Sequence, residues 1–222
     1  GQVLALDVSP DGRRLVTASR DATIKLWDIF RPRPLSRFVG HVDTVGAIAV
    51  SSDGAWIVSG GADKAAKVWQ LVGTDDSEAG KVLFELAGHV DAVASVAIRQ
   101  DDKLIASADA AGVIRLWNRE DGSPAGVLGA HIGSVKSLAF HPSGETLLSG
   151  GEDGAMRLWK LPLTAPSVLA GHEISVRRVA AVPDGSIVVS GDQAGSVRVF
   201  DTAKGMPLRV LEGQPGPVRA LN

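Results

Sequence analysis

Apolar and polar residues alternate along this chain in short runs, and clusters of turn-forming residues separate the runs. The first set reads VLALDVS, breaks at PDG, resumes as RLVTAS, turns again and closes on TIKLWD. Period-two alternation bounded by Asp-Gly or Ser-Gly is the pattern of short antiparallel strands joined by hairpins. A fourth apolar stretch follows each closing aromatic: PLSRFV, KVLFEL, PAGVLG, PSVLA and PLRVL. The pattern therefore predicts repeated sets of four strands, with almost no helix.

The sets recur in register. Four stretches run from a histidine to an aromatic with a common separation of 28 residues: His41 to Trp69, His89 to Trp117, His131 to Trp159 and His172 to Phe200. A further set ending at Trp27 lacks its histidine, and another begins at Gln214, where Gly213 and Val218 keep the register. The closing aromatics lie 42, 48, 42 and 41 residues apart. The longer interval holds the insertion VGTDDSEAG after Trp69. A solvated loop is the plain reading of that insertion, because surface connections tolerate length; an acidic docking loop is the sharper one.

GHVDTVGAIAVSSDGAWIVSGGADKAAKVWQ and GAHIGSVKSLAFHPSGETLLSGGEDGAMRLWK resemble WD40 repeats, and the resemblance runs over essentially the whole chain. Gly-His, Asp-Gly, Ser-Gly-Gly and the closing Trp recur in order. A literal Trp-Asp occurs at Trp27-Asp28, while the other copies end Trp-Gln, Trp-Asn, Trp-Lys and Phe-Asp. The resemblance implies an all-β fold, a WD40-type β-propeller of five four-stranded antiparallel blades plus the first strand of a sixth. A single propeller domain, or a fragment of one, is expected over 1–222, with blades at about 1–39, 40–87, 88–129, 130–170 and 171–212 and the sixth starting over 213–222. Propellers of this family usually close with about seven blades, and closure is what removes raw sheet edges. Five and a fraction is therefore expected to form an open arc, completed by residues outside this chain or by a partner subunit.

The resemblance also implies a buried hydrogen-bonded tetrad in each blade, built from the Gly-His histidine, a Ser or Thr ten before the aromatic, an Asp six before it, and the aromatic itself. The set is complete as His41, Ser59, Asp63 and Trp69, and as His131, Ser149, Asp153 and Trp159. The first blade keeps Thr17, Asp21 and Trp27. The third has His89, Ser107 and Trp117 with Ala111 in the Asp position; the fifth has His172 and Ser190 with Ala194 and Phe200. Asp109 and Asp192, two residues earlier, are candidates to substitute by another geometry. On the motif alone, blades 2 and 4 are expected to be the best tied and blades 3 and 5 looser. Ser, His and Asp in reach of one another also describe a nucleophilic triad. An active site is needed once, however, whereas this constellation recurs blade after blade with an indole behind it, which marks architecture.

Composition narrows the chemistry further. The 222 residues are 45% hydrophobic and 22% charged, with a net charge of −2, which excludes disorder and a nucleic-acid or anionic-membrane binder working by bulk charge. Cysteine is absent, so disulfides, thiolate metal sites and thiol nucleophiles are excluded. No apolar run is long enough to span a bilayer as a helix, and no phosphate-cradling or nucleophile-elbow motif occurs. The repeat histidines fall on separate blades, so neither catalytic residues, nor a cofactor, nor a metal are expected. His141, in the turn HPSG, reads as a surface residue, and Trp56 as inter-blade packing or a half-exposed strand residue. The compartment expected is the cytoplasm, with periplasm or secretion left open.

With no chemistry in view, function is expected on a surface: a non-catalytic scaffold that binds a protein or peptide. The alternative is an accessory or regulatory module of a larger enzyme or electron-transfer protein. The resemblance implies that the binding face is the one where the loops before the first strand and between the second and third strands emerge. By position that face carries Arg20, Lys136, Glu152, Arg177, Gln193 and Arg219, while blades 2 and 3 present small residues such as Thr44, Gly46, Ala62, Ala92, Ala94 and Ala110. An acidic or carboxylate-bearing peptide is the expected partner, with Arg177 and Lys136 as anchors.

Overall fold

The computed structural model describes residues 1–31, 33–71, 79–161, 167–169, 171–202, 204–211 and 215–221. Within them lie twenty strands and no helix. The first sheet is formed by β1 (Val3–Val8), β2 (Arg14–Ser19), β3 (Thr23–Asp28) and β4 (Pro34–Val39). The second contains β5 (Val45–Val50), β6 (Trp56–Gly61), β7 (Ala66–Gln70) and β8 (Val82–Leu86). The third has β9 (Val93–Ile98), β10 (Leu104–Asp109), β11 (Val113–Asn118) and β12 (Pro124–Gly129), and the fourth β13 (Val135–Phe140), β14 (Thr146–Gly151), β15 (Met156–Lys160) and β16 (Ser167–Leu169). The fifth comprises β17 (Val176–Ala181), β18 (Ile187–Asp192), β19 (Val197–Asp201) and β20 (Met206–Leu211). Every sheet is an antiparallel meander in chain order, so the alternating runs and hairpin turns of the sequence become five blades.

Successive blades pack face to face, with β1 against β5, β5 against β9, β9 against β13 and β13 against β17. The core accordingly sits between sheets. Val16, Ile24 and Phe38 of the first blade meet Val45, Ile57 and Trp69 of the second. Val58 and Val68 meet Ile105 and Trp117 at the next boundary, Ile114 and Leu116 meet Leu147 and Trp159 at the third, and Leu148 and Met156 meet Val188 and Phe200 at the fourth. Trp69, Trp117, Trp159 and Phe200 thus each belong to one sheet and fill the core shared with the sheet before it. Trp56 is buried in the second boundary, with the Arg119 guanidinium 4.6 Å from its ring centroid.

Polar straps reinforce the boundaries. Asp102 occupies the slot that holds glycine in the Asp-Gly turns, at a φ of 58°. Its carboxylate accepts hydrogen bonds from Ser52 Oγ at 2.6 Å and from the Ser52 N–H at 2.9 Å, tying the turns of blades 2 and 3. His141 is half-exposed and reaches the Gly185 carbonyl of blade 5 at 2.7 Å. The start of the sixth unit docks without forming a ladder. Val218 is buried, and its N–H donates to the Asp192 carbonyl at 2.9 Å. Gly213 and Gln214, and most of the insertion after Trp69, lie outside the described residues.

Candidate functional site

The repeated polar residues converge between each first strand and the two that follow it. In blade 2, Trp69 Nε1 donates to Ser59 Oγ at 2.7 Å, Ser59 lies 2.7 Å from His41 Nε2, and His41 Nδ1 faces Asp63 Oδ2 at 2.8 Å. Blade 4 repeats the relay through Trp159, Ser149, His131 and Asp153 at 2.9, 2.8 and 2.8 Å. The serines are fully buried, so a donor or acceptor left unmet here would carry its whole desolvation cost. Each aspartate also caps its own turn, Asp63 accepting from the Ala65 N–H and Asp153 from the Ala155 N–H.

Blade 3 departs from the expectation that it is looser. His89 Nδ1 lies 2.8 Å from Asp109 Oδ2, Nε2 lies 2.6 Å from Ser107 Oγ, and Trp117 Nε1 completes the relay at 2.8 Å. Asp109 therefore does from the end of β10 what Asp63 does from the turn. Asp192 serves His172 in the same way at 2.8 Å, although blade 5 lacks the indole bond because Phe200 has no N–H. The physical reason is a trade between two positions. Gly61 and Gly151 stand where Asp109 and Asp192 stand, and a Cβ at either glycine would collide with the relay imidazole and the neighbouring aspartate. Only one of the two positions can carry the carboxylate.

Burial pushes the His41, His89, His131 and His172 imidazoles below their ordinary value of 6.5, outweighing the facing carboxylates. Burial also acts to raise the Asp63, Asp153 and Asp192 carboxyls, yet hydrogen bonds from backbone and imidazole together carry them below the usual range. A neutral histidine fits the bonds to serine and aspartate that make up the relay. Nδ1–H donates to the carboxylate and Nε2 accepts from the serine hydroxyl, which in blades 2, 3 and 4 itself accepts from the indole. Among the described residues no group of metal-ligating side chains comes together.

The loop face places the residues expected to meet a partner, and it pairs most of them. Lys136 Nζ lies 3.6 Å from Glu152 Oε2, whose carboxyl is lowered first by the Ser134 N–H and then by Lys136 and Arg177. Arg177 donates to Gln193 Oε1 at 2.8 Å. Arg20 and Arg219 are exposed, and the Arg219 carbonyl accepts from Arg178 Nε at 2.9 Å. Arg178, which position alone did not single out, lines a cavity of about 670 Å³ together with Lys136, Arg219, Leu4, Gly46 and Ala94. Three apolar side chains also stand out on this face: Val42, Val90 and Ile132, each the residue after a relay histidine, are 88%, 65% and 86% exposed. An apolar residue in that loop slot was the available signal.

Comparison with known proteins agrees with this geometry. The WD40 family profile (WD domain, G-beta repeat) matches residues 1–28, 32–70, 80–118, 122–160 and 164–201. Protein hir1 of Emericella nidulans is 32% identical over 87 residues, 35% of this chain and 8% of that protein. Nuclear distribution protein nudF of Aspergillus niger is 39% identical over 57 residues, 26% of this chain and 13% of that protein. WD repeat-containing protein 37 of Homo sapiens is 45% identical over 64 residues, 28% of this chain and 13% of that protein. The matched segments thus span only a small part of these relatives.

Proposed function

The chain belongs to the WD40 repeat family, and from that premise we propose that it is a non-catalytic scaffold whose loop face binds an acidic or carboxylate-bearing peptide. WD40 repeat proteins generally act as protein-interaction scaffolds. The observation that supports the reading here is the recurrence of one relay in successive blades. A Ser–His–Asp set repeated with an indole holds each loop rigidly and serves no single reacting centre. Loops fixed in this way lose little entropy when a partner docks.

Lys136 and Arg177 are the proposed anchors, with Arg20, Arg178 and Arg219 extending the cationic side. Their links to Glu152 and Gln193 orient the cations without covering them completely; the Lys136 side chain is still 22% exposed. The small residues of blades 2 and 3 leave room for the rest of the peptide. Val3, Leu6 and Ile29, exposed on the face of blade 1 that looks away from blade 2, support a second element of the proposal, completion of the arc by further blades. The decisive experiment is a pull-down with Lys136→Glu/Arg177→Glu against the unmodified chain. Recovery of the partner is expected to fall at least tenfold, and unchanged recovery would remove these two residues as anchors.

A further inference from the structure

In blade 4 the carboxylate oxygen that does not face the histidine collects two donors. Asp153 Oδ2 accepts from the Ile132 N–H at 3.2 Å and from Arg157 Nη1 at 2.9 Å. The corresponding donors in blade 3 are the Val90 N–H and Arg115. Asp109 does not reach them. It approaches His89 from the strand end, and its other oxygen is taken by the N–H groups of Ala111 and Val113 at 3.1 and 2.9 Å. Ala111, where the aspartate stands in blade 4, is exposed. Among the described residues Arg115 has no ion pair, its buried Nε has no hydrogen-bond partner, and no acceptor meets the Val90 N–H. The guanidinium is held in place against Gly88, where a Cβ would stand 3.2 Å from its Cζ.

We propose that this loop of blade 3 is a carboxylate-binding subsite, in which a partner's carboxylate takes the two donors that Asp153 takes in blade 4. The proposal rests on the reading that the loop face receives a partner, and adds which chemical group enters and where. An arginine and a backbone N–H converging on one oxygen form charge-assisted bonds of the stronger kind. The approach is clear, because Ala110 and Ala111 extend no further than a methyl group. Blade 5 offers the same pair of donors in the Glu173 N–H and Arg198, whose Nε is likewise buried without a partner. There the Glu173 side chain brings a negative charge to the entrance, so blade 3 is the site.

The test is a nuclear magnetic resonance titration of the whole chain with three probes: N-acetylaspartate α-amide, carrying a side-chain carboxylate; N-acetylalanine, carrying a terminal one; and inorganic phosphate. The Val90 amide and Arg115 Nε–H signals are expected to move saturably with a carboxylate probe, while Ile132 and Arg157 stay still. The tighter of the two carboxylates names the source. Arg115→Gln is expected to weaken binding at least tenfold. So is the exchange Asp109→Gly/Ala111→Asp, which gives blade 3 the arrangement of blade 4 and is expected to keep the melting temperature. If Val90 and Arg115 move no more than Ile132 and Arg157, or respond to phosphate alone, the proposal is overturned, and this comparison requires no variant to fold. The Lys136/Arg177 pull-down reads other residues, so loss of the anchors and loss of the subsite are separate results.

Discussion

In each relay the imidazole stands between a hydroxyl and a carboxylate, and in blades 2, 3 and 4 the indole fixes the direction of the bonds between them. The indole can only donate, so the serine oxygen accepts from it and turns its own proton towards Nε2, leaving Nδ1–H for the aspartate. A proton added at Nε2 puts two donors face to face. This is the local meaning of imidazoles held below 6.5 by burial. In the unfolded chain these histidines bind protons more readily than in the fold, so their contribution is complete above about pH 6.5 and is lost as pH falls below it. Each can contribute a slope of up to about 1.4 kcal/mol per pH unit. The lowered carboxyls of Asp63, Asp153 and Asp192 act in the same sense, adding a further loss below their ordinary 3.8. Thermal melts are expected to be level above pH 7 and to drop by several degrees between pH 6.5 and 5. A melting temperature that holds or rises over that interval would contradict a neutral relay. The relay of blade 2 was legible in the sequence because its members keep motif spacing. The exchange between Gly61 and Asp109 was only half legible, since spacing offers the residue but not the collision that forbids both.

Strands were readable from alternation alone, and the sheets keep the runs in their order, with the stretch after each aromatic forming the outer strand. How one sheet seats on the next was not readable, because that register depends on contacts between residues some forty positions apart. Gly60 shows the device. A Cβ there would stand 2.6 Å from Val93 Cγ1 of the following blade, and Gly150 and Gly191 face Val176 and Val218 in the same way. Blades 1 and 3 use Ala18 and Ala108 at this place, both fully buried, so the spacing between sheets is set boundary by boundary. Gly60→Ala is expected to destabilise the chain by about 1–3 kcal/mol, the usual cost of overpacking, and adding Val93→Ala is expected to recover part of it. Urea unfolding measures both. Equal stability of Gly60→Ala and the unmodified chain would mean that the boundary yields freely. The Asp102 strap escaped sequence reading for the same reason: the local pattern gives a turn, and the carboxylate acts on the neighbouring blade.

Across the molecule, the face of blade 1 that looks away from blade 2 repeats the pattern of a buried one. Val3 is 51% exposed where its counterpart Val45 is 0%, and Ile29 is 48% exposed where Leu71 is 1%. Leu6 and Val8 are exposed beside them. Contiguous apolar surface of this kind seeks a partner, and the chain alone is expected to show a mass that rises with concentration in sedimentation velocity. Leu6→Glu is expected to reduce that association without lowering the melting temperature, whereas a concentration-independent monomer would argue against an unmet packing face. The pairing of loop-face cations with Glu152 and Gln193 was not legible either, because each joins the start of a first strand to the turn after the second, which no local motif connects. One offset has a historical consequence. The profile repeat over 32–70 holds the outer strand of the first sheet together with the three inner strands of the second. Removing such a stretch leaves β8 to take up the edge of β3, and copying one adds an outer strand that closes one sheet and three inner strands that begin the next. The array can thus gain or lose a unit through a single recombination event without ever passing through an intermediate that has an orphaned strand.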